Sequence, residues 1–411
     1  LNVKAALENL QPGAIAPFYP DIAQYKIKGA VTAGVTVTGT AKAPKIDLSL
    51  TSGSLGLMDA VTFKNLKVAT VLAGDLKALD KADLDLDISA AEASAGGVGL
   101  SNLAVKLKKA GQKVNIASAS VNSGKGSIAG SGSLTLPEKK DGEGTVDFTA
   151  KISGADLGFL AKSAGAGVPV GGTVDGTVTV KGPLSNPSLT VKAASPKVSA
   201  SGFAVTDVAL GLSGNAKEVK IEEFGAKFGG GLLGATGTVK LGDVPDATVD
   251  ILGKDLDLAA LTAGMPDAKE FGLGGKLNVN FKGRFAGASG KGEGAITSPS
   301  LTVMGIKATN LNYPLALEGN KLSGKGGSLV LYGGKASGAG SIDIATLKYS
   351  HSAEFSGVDV NALLQDFTGG LGGKVTGLAR GSANVSGALA PKFSLSGKGS
   401  AHIGEGAVSG F

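Results

Sequence analysis

Polar and apolar residues alternate along many short stretches of the chain. In segment 82–89, Leu84, Leu86 and Ile88 fill one set of alternate positions and three aspartates fill the other. A period of two is typical of a β-strand with one apolar face and one wet face. Turn-forming pairs such as Asp141-Gly142 separate these stretches and suit tight hairpins. The pattern therefore predicts an all-β fold of antiparallel neighbouring strands.

The apolar positions of these stretches are the candidate lining of a hydrophobic groove. They are Leu84, Leu86, Ile88, Val105, Leu107, Val146, Phe148, Val178, Val180, Val208, Leu210, Leu212, Val249, Ile251, Leu277, Val279, Phe281, Leu315, Leu317, Leu329 and Leu331. The same alternation builds the packed core of an ordinary β-sandwich. The residues alone therefore leave open whether this face is a core or a groove.

Two strand motifs recur in one register. The first places an Asx residue, expected to form a turn, at Asn102, Asp207 and Asn310, which are 105 and 103 residues apart. An extra copy lies at Asn65. The second motif begins with glycine and ends at an aliphatic residue, with the same two spacings; these end residues are Leu136, Leu241 and Ile344. A fixed spacing of this kind indicates a tandem repeat.

A third landmark is a short apolar segment that predicts a helix. Its copies are 156–160, 257–261 and 360–364. Asp156 and Asp257 begin the first two copies, and Asp359 precedes the third. A related segment runs from Val3 to Leu7. Aspartate is a favoured N-cap because its carboxylate accepts a hydrogen bond from a free amide of the first turn. We therefore expect a short helix at each of these four places.

Together the landmarks predict modules of about 103 residues, each with roughly eight strands and a closing helix, and one or two extra hairpins in the first module. The expected divisions are the end of a preceding module with a short helix and linker (1–26), three β-groove modules (27–170, 171–272 and 273–372) and the start of a final module (373–411). The chain is expected to be part of a longer protein.

Glycine is the most unusual feature of the composition, with 67 of 411 residues. The glycines keep no three-residue period and prolines number 14, which excludes collagen. Interior glycine disfavours helix bundles by about 1 kcal/mol per residue relative to alanine. Ample apolar content excludes disorder. Because glycine relieves crowding where a sheet bends, its excess predicts a curved sheet.

Charge and reactive side chains exclude several function classes. The net charge is +6, but the lysines are spread evenly among acidic residues, unlike a nucleic-acid-binding surface. The chain has no cysteine and only two histidines, His351 and His402. His351 is in phase with an apolar strand face and is expected to be packed, whereas His402 is expected to be solvated. Asp83, Asp85 and Asp87 are predicted to form a wet strand face, not a calcium loop. We predict no catalytic residue, no metal site, no cofactor and no enzymatic activity.

Several segments resemble the AsmA/TamB family of bacterial envelope proteins, including its C-terminal repeats. The sharpest are 331–344, 358–367, 370–377 and 397–411, and Gly182-Pro-Leu-Ser-Asn-Pro-Ser-Leu189 resembles a step that recurs in TamB-like chains. The resemblance implies a long, taco-like antiparallel sheet around an apolar groove, a bridge-like lipid transport protein. It also implies a periplasmic location, an inner-membrane anchor outside this segment, phospholipid as cargo and, in some members, an outer-membrane barrel partner.

Our expectation is therefore a periplasmic groove that carries phospholipids between the inner and outer membranes. The alternative is an envelope scaffold or assembly factor that acts with an outer-membrane barrel partner through sheet edges. Polar substitutions inside the groove would abolish the first function and spare the second. Two further readings are a β-helix adhesin, whose coils repeat at roughly 20–30 residues, and a membrane-spanning strand barrel, which would show aromatic girdles.

Overall fold

The computed structural model describes residues 1–12, 24–75, 82–95, 98–138, 142–163, 169–200, 203–262, 272–287, 289–368, 374–389 and 393–408. The expected Asp141-Gly142 turn and parts of the segments 370–377 and 397–411 lie outside these ranges.

The described chain is almost entirely β-strand. The strands are β1 (Asn2–Leu10), β2 (Val31–Gly39), β3 (Pro44–Leu57), β4 (Val61–Ala73), β5 (Asp83–Ala95), β6 (Val98–Ala110), β7 (Lys113–Ser123), β8 (Gly126–Thr135), β9 (Thr145–Asp156), β10 (Val170–Pro183), β11 (Ser188–Ala200), β12 (Phe203–Gly214), β13 (Glu218–Phe228), β14 (Gly231–Lys240), β15 (Asp246–Asp257), β16 (Gly274–Ala286), β17 (Ser289–Val303), β18 (Ile306–Gly319), β19 (Lys321–Leu331), β20 (Gly334–Asp343), β21 (Lys348–Asp359), β22 (Leu378–Ala388) and β23 (Ser394–Gly404). Three α-helices are α1 (Leu157–Ser163), α2 (Leu258–Thr262) and α3 (Val360–Thr368).

The strands form two compact units. One comprises Leu1–Ala200 with Gly211–Ala216, and the other comprises Ser201–Leu210 with Lys217–Phe411. In the first unit, each strand from β1 to β11 pairs antiparallel with the next one along the chain. In the second, the same holds from β13 to β23. The predicted class, all-β with extended antiparallel sheet and short helices, is confirmed.

Each helix begins directly after an aspartate cap. The amides of Phe159, Ala260 and Ala362 donate to Oδ1 of Asp156, Asp257 and Asp359 at 2.8, 3.0 and 3.1 Å. Each donor is three residues beyond its cap, as in N-capping. The three predicted helices at these positions are therefore confirmed.

The fourth predicted helix, from Val3 to Leu7, is wrong, because this segment lies inside strand β1. It has no aspartate cap, and its alternate residues pair with β2, Val3 opposite Val37 and Leu7 opposite Ala33. The strand ladder satisfies the backbone groups that a helix would otherwise satisfy.

The Asx residues of the first repeated motif lie within strands and not in turns, which corrects the sequence interpretation. Asn65, Asn102, Asp207 and Asn310 have φ between 50° and 56°, the left-handed region in which Asn and Asp are enriched. Beside Asn102 and Asn310 the pairing register shifts, as at a β-bulge, which twists and bends the strand. The repeat therefore marks left-handed residues within strands, two of them beside a bulge.

The number of strands per repeat also differs from the expectation of roughly eight. Among the described residues, six strands lie between α1 and α2, and six lie between α2 and α3. Eight strands, β2 to β9, lie between β1 and α1, one hairpin more than in either later interval. At 10 to 15 residues, most of the strands exceed the usual five or six, which explains the overestimate.

Candidate functional site

The apolar side chains of the first unit stand in continuous rows across its strands. One row is Leu7, Ala33, Leu50, Val68, Ile88, Val105, Ala119, Gly130, Ala150, Val178 and Val191, one residue from each strand from β1 to β11. Directly opposed residues of antiparallel strands project to the same face, with Cβ atoms about 4.5–5.5 Å apart. We call the face that carries these rows the apolar face of the unit.

The second unit has an equivalent apolar face. One row is Phe224, Ala235, Ile251, Phe281, Gly294, Leu315, Gly324, Gly340, His351, Val385 and Gly397, from β13 to β23. A neighbouring row contains Val249, Leu317, Leu322, Ile342 and Tyr349. Neither row contains an ionised side chain.

The predicted lining residues are neither exposed nor fully buried, with one exception. Of the twenty-one, Leu317 is buried, with 4% of its surface accessible, and the other twenty are partly buried. A sandwich core normally buries such residues more completely, because a second sheet covers them. Within each unit the apolar face is therefore only partly covered.

Helix α3 covers part of this face near its edge. Val360 packs with Val358 and Ala379, and Leu363 and Leu364 pack against the same cluster. On its polar side, Asp366 accepts hydrogen bonds from the Tyr332 hydroxyl at 3.0 Å and from Lys307 Nζ at 3.1 Å. These two donors hold the pKa of Asp366 below its usual value. Tyr332 also accepts a hydrogen bond from the amide of Lys307.

The strand ends near the helices carry a repeated set of hydrogen bonds. The amides of Asn9, Gly154 and Asp255 each donate to a side chain of the next strand: Thr32 Oγ1, Asp175 Oδ1 and Asn278 Oδ1. A second set comprises the buried serines Ser52, Ser195 and Ser298, whose hydroxyls donate to the carbonyls of Ala30, Lys197 and Lys276. We call this end of the strands the bulged margin, because most of the non-glycine residues with positive φ lie here. The side chains satisfy backbone groups that the bulges release from the ladder.

Aromatic rings of the second unit lie over glycines of neighbouring strands. A Cβ added to Gly324 would be 1.9 Å from Cε1 of Tyr313, and one added to Gly338 would be 2.5 Å from Cε1 of His351. Phe355 covers Gly381 in the same way. The sequence interpretation missed Tyr313, although it alternates with Leu311 and Leu315 in the same strand. The apolar face is therefore nearly flat at these positions, because the rings fill the space that the glycines leave open.

The opposite face is polar and carries the ion pairs. Lys106 pairs with Asp87 at 2.9 Å, and Lys282 pairs with Asp250 at 2.9 Å, both directly across two strands. Arg284 forms a bidentate pair with Asp246. Exposed pairs of this kind contribute about 0–1 kcal/mol each, but opposed charges favour one register. Asp83 and Asp85 are exposed on this face, as predicted for a wet strand face.

Two cavities lie mainly along the polar face. One of about 940 Å³ is bordered by serines of β19 to β23 together with Glu354 and Arg380. The other, of about 660 Å³, is bordered by Asp47, Asp85 and their neighbours in the first unit.

The two histidines differ in their surroundings as the sequence predicted. His351 belongs to the apolar face, where the centroid of its ring lies 5.7 Å from that of Tyr313 and the two ring planes differ by 29°. Burial lowers the pKa of His351. His402 is exposed on the polar face, opposite Arg380.

The described residues hold no group of three or more side chains suited to bind a metal ion. Within the same ranges, none of the helices has the length and apolar character needed to cross a bilayer.

Comparison with known proteins identifies no family: no family model matches the chain, and neither a curated protein nor a solved structure shows significant similarity to it.

Proposed function

We propose that the chain forms part of a periplasmic hydrophobic groove that carries phospholipids between the two membranes of a bacterial envelope. The observation that supports this proposal best is the pair of continuous apolar rows, each crossing eleven strands within one unit. The resemblance to AsmA/TamB proteins supplies the cargo, the location and the inner-membrane anchor.

The low relief of the apolar face suits a conduit better than a tight binding site. An acyl chain laid along the rows would gain about 0.8 kcal/mol for each buried CH₂ group. Movement along the face requires many similar sites and none that is much deeper. Ala, Val, Leu and flat rings over glycine provide such a series, and the two eleven-strand rows contain no ionised group that would hold a head group.

Photocrosslinking tests this proposal. A photoreactive residue at Val180 or Phe281, both on the apolar face, is expected to capture phospholipid in cells, and mass spectrometry is expected to find the same lipid on the purified chain. The matched controls are Thr179 and Asn280, the preceding residues, which project to the polar face. Equal capture at all four positions, or none at any, would refute the proposal.

A further inference from the structure

Two neutral polar side chains stand side by side within the apolar rows of the second unit. Tyr313 of β18 and His351 of β21 have ring centroids 5.7 Å apart, and their ring planes differ by only 29°. Strands β19 and β20 run between them. The two rings therefore reach towards each other from opposite sides of a shared floor.

That floor consists of glycine. An added Cβ would come within 2.1 Å of the Tyr313 ring at both Gly324 and Gly327, and within 2.6 Å of the His351 ring at both Gly338 and Gly340. Each ring thus spans two glycines of the adjacent strand and lies along the sheet. The outward side of each ring is a π-face that a flat ligand can cover.

The polar atoms of this pair have no partner within the described part of the chain. Neither the Tyr313 hydroxyl nor a ring nitrogen of His351 forms a hydrogen bond there, whereas the Tyr349 hydroxyl donates to the Ser394 carbonyl at 3.0 Å. Burial raises the pKa of Tyr313 and lowers that of His351. At neutral pH both groups are therefore uncharged, and both can donate a hydrogen bond.

We propose that Tyr313 and His351 form a site for a lipid with an uncharged quinone head and an apolar tail. An electron-poor quinone ring stacks favourably on electron-rich rings, and its carbonyl oxygens accept hydrogen bonds from the phenol and the imidazole. The tail would continue along Leu315, Leu317 and their row. The inference rests on the proposed function in one respect, since both require the apolar face to be open to lipid.

The surroundings favour this class over a charged lipid head or a plain acyl chain. The rows beside the pair contain no lysine, arginine or acidic residue, so these rows offer no counter-ion to a phosphate group. A plain hydrocarbon would leave both polar groups unsatisfied, which costs free energy in an apolar setting.

Nuclear magnetic resonance can test the site, because the chain has only two histidines. The protein with isotope-labelled histidine is titrated with 2-methyl-1,4-naphthoquinone and with 2-methylnaphthalene, which has the same flat shape without carbonyl oxygens. We expect the quinone to shift the ring signals of His351 and to leave those of exposed His402 unchanged. We also expect it to bind at least about twofold more tightly than the hydrocarbon, as one neutral hydrogen bond of about 0.5–1.5 kcal/mol implies.

Conservative variants test whether the preference for the quinone over the hydrocarbon depends on the Tyr313–His351 pair. Tyr313→Phe keeps the ring and is expected to weaken quinone binding about threefold to tenfold, with less than a twofold change for the hydrocarbon. The matched control is Tyr349→Phe, which removes a hydroxyl that is already bonded and is expected to change neither affinity. Equal binding of both ligands, or a quinone affinity that Tyr313→Phe leaves unchanged, would overturn the inference.

The two proposals fail separately. Phospholipid crosslinks at Val180 and Phe281 without a quinone response at His351 would leave the conduit and remove this site. A selective quinone response without phospholipid crosslinks would do the reverse.

Discussion

At the scale of single residues, glycine does more than permit turns. In the second unit it provides the space in which aromatic rings lie along the sheet, as Gly324 and Gly327 do for Tyr313. The sequence predicted that excess glycine means curvature. The structure adds a second role, because several glycines on the apolar face are in contact with a ring or a neighbouring backbone. These glycines are not interchangeable with alanine.

Replacing Gly324 with alanine is expected to destabilise the second unit by about 1–3 kcal/mol, a usual cost of overpacking. The new Cβ would lie 1.9 Å from the Tyr313 ring, which must move. The matched control is Gly225→Ala, where an added Cβ meets nothing within 4 Å, and a change within about 0.5 kcal/mol is expected. Chemical denaturation measures both. Similar losses in the two variants would show that ring contact is not the cause.

The pH dependence of stability should report the burial of His351. Its pKa is lowered in the folded protein, so the unfolded chain binds the proton more readily. Stability is therefore expected to fall as the pH drops from the ordinary histidine value of about 6.5 towards the folded-state pKa. The comparison of wild type with His351→Phe in urea at several pH values measures this contribution. An unchanged pH slope in the variant would contradict it.

At the scale of elements, a bulge and a helix act together at each repeat. A positive-φ residue at Gly154, Asp255 or Gly357 precedes an aspartate cap by two residues, and the helix follows at once. The bulge twists the strand end, and the cap ends the ladder. This explains why three of the four predicted helices formed, while Val3–Leu7 continued as a strand until Asn9, whose φ is 53°.

Helix α3 should depend on the contact of Asp366 with Tyr332 and Lys307. Asp366→Asn removes the ion pair and is expected to raise hydrogen exchange of the α3 amides several-fold, because less holds the helix on the sheet. Asp250→Asn, which breaks an exposed ion pair with Lys282 in the same unit, should leave α3 unchanged. Mass spectrometry of peptides from 357 to 368 measures the rate. Unchanged exchange in Asp366→Asn would show that the apolar cluster alone holds the helix.

The sequence predicted the strands well because alternation is a local signal. Leu84, Leu86 and Ile88 occupy alternate positions, and alternate residues of a strand project to the same face. The left-handed conformation of Asn102 within a strand was harder to predict from the sequence, because an Asx residue near glycine also suits a turn. The contact of Tyr313 with Gly324 joins two strands. The hydrogen bond between Lys307 and Asp366 joins residues 59 apart. Neither contact follows from the pattern of a single strand.

At the scale of the whole molecule, each unit is held together by contacts between strands that are adjacent in sequence. The cluster of Val31, Leu55, Leu66 and Ala90, for example, lies on the consecutive strands β2 to β5, and Leu10 of β1 and Leu103 of β6 pack against it. Chains built in this way resemble repeat proteins, in which stability is a sum of local terms and neighbour terms. A two-state transition of the full chain is therefore not expected.

A fragment of residues 1–163, from β1 to the end of α1, is expected to fold alone. Among the described residues its strands pair only with one another and with β10, so removal of the rest costs one ladder and the packing of α1 on β10. Circular dichroism should show β-structure, and hydrogen exchange should be slowest around Leu66 and Ala90. A fragment of residues 1–115, which ends within β7, serves as the comparison. Its amides near the cut edge are expected to exchange faster than the same amides of the longer fragment. Complete unfolding of the longer fragment would contradict neighbour-only stability.

The bulged margin has a consequence for how such a chain can lengthen. An antiparallel strand reverses direction at every turn, so only an even number of strands returns the chain to the margin from which it left. The observed intervals of eight, six and six strands obey this parity. The apolar face can then be lengthened or shortened only by whole hairpins, in steps of about 10 Å. Insertion of a single strand would place the next helix at the opposite end of the strands.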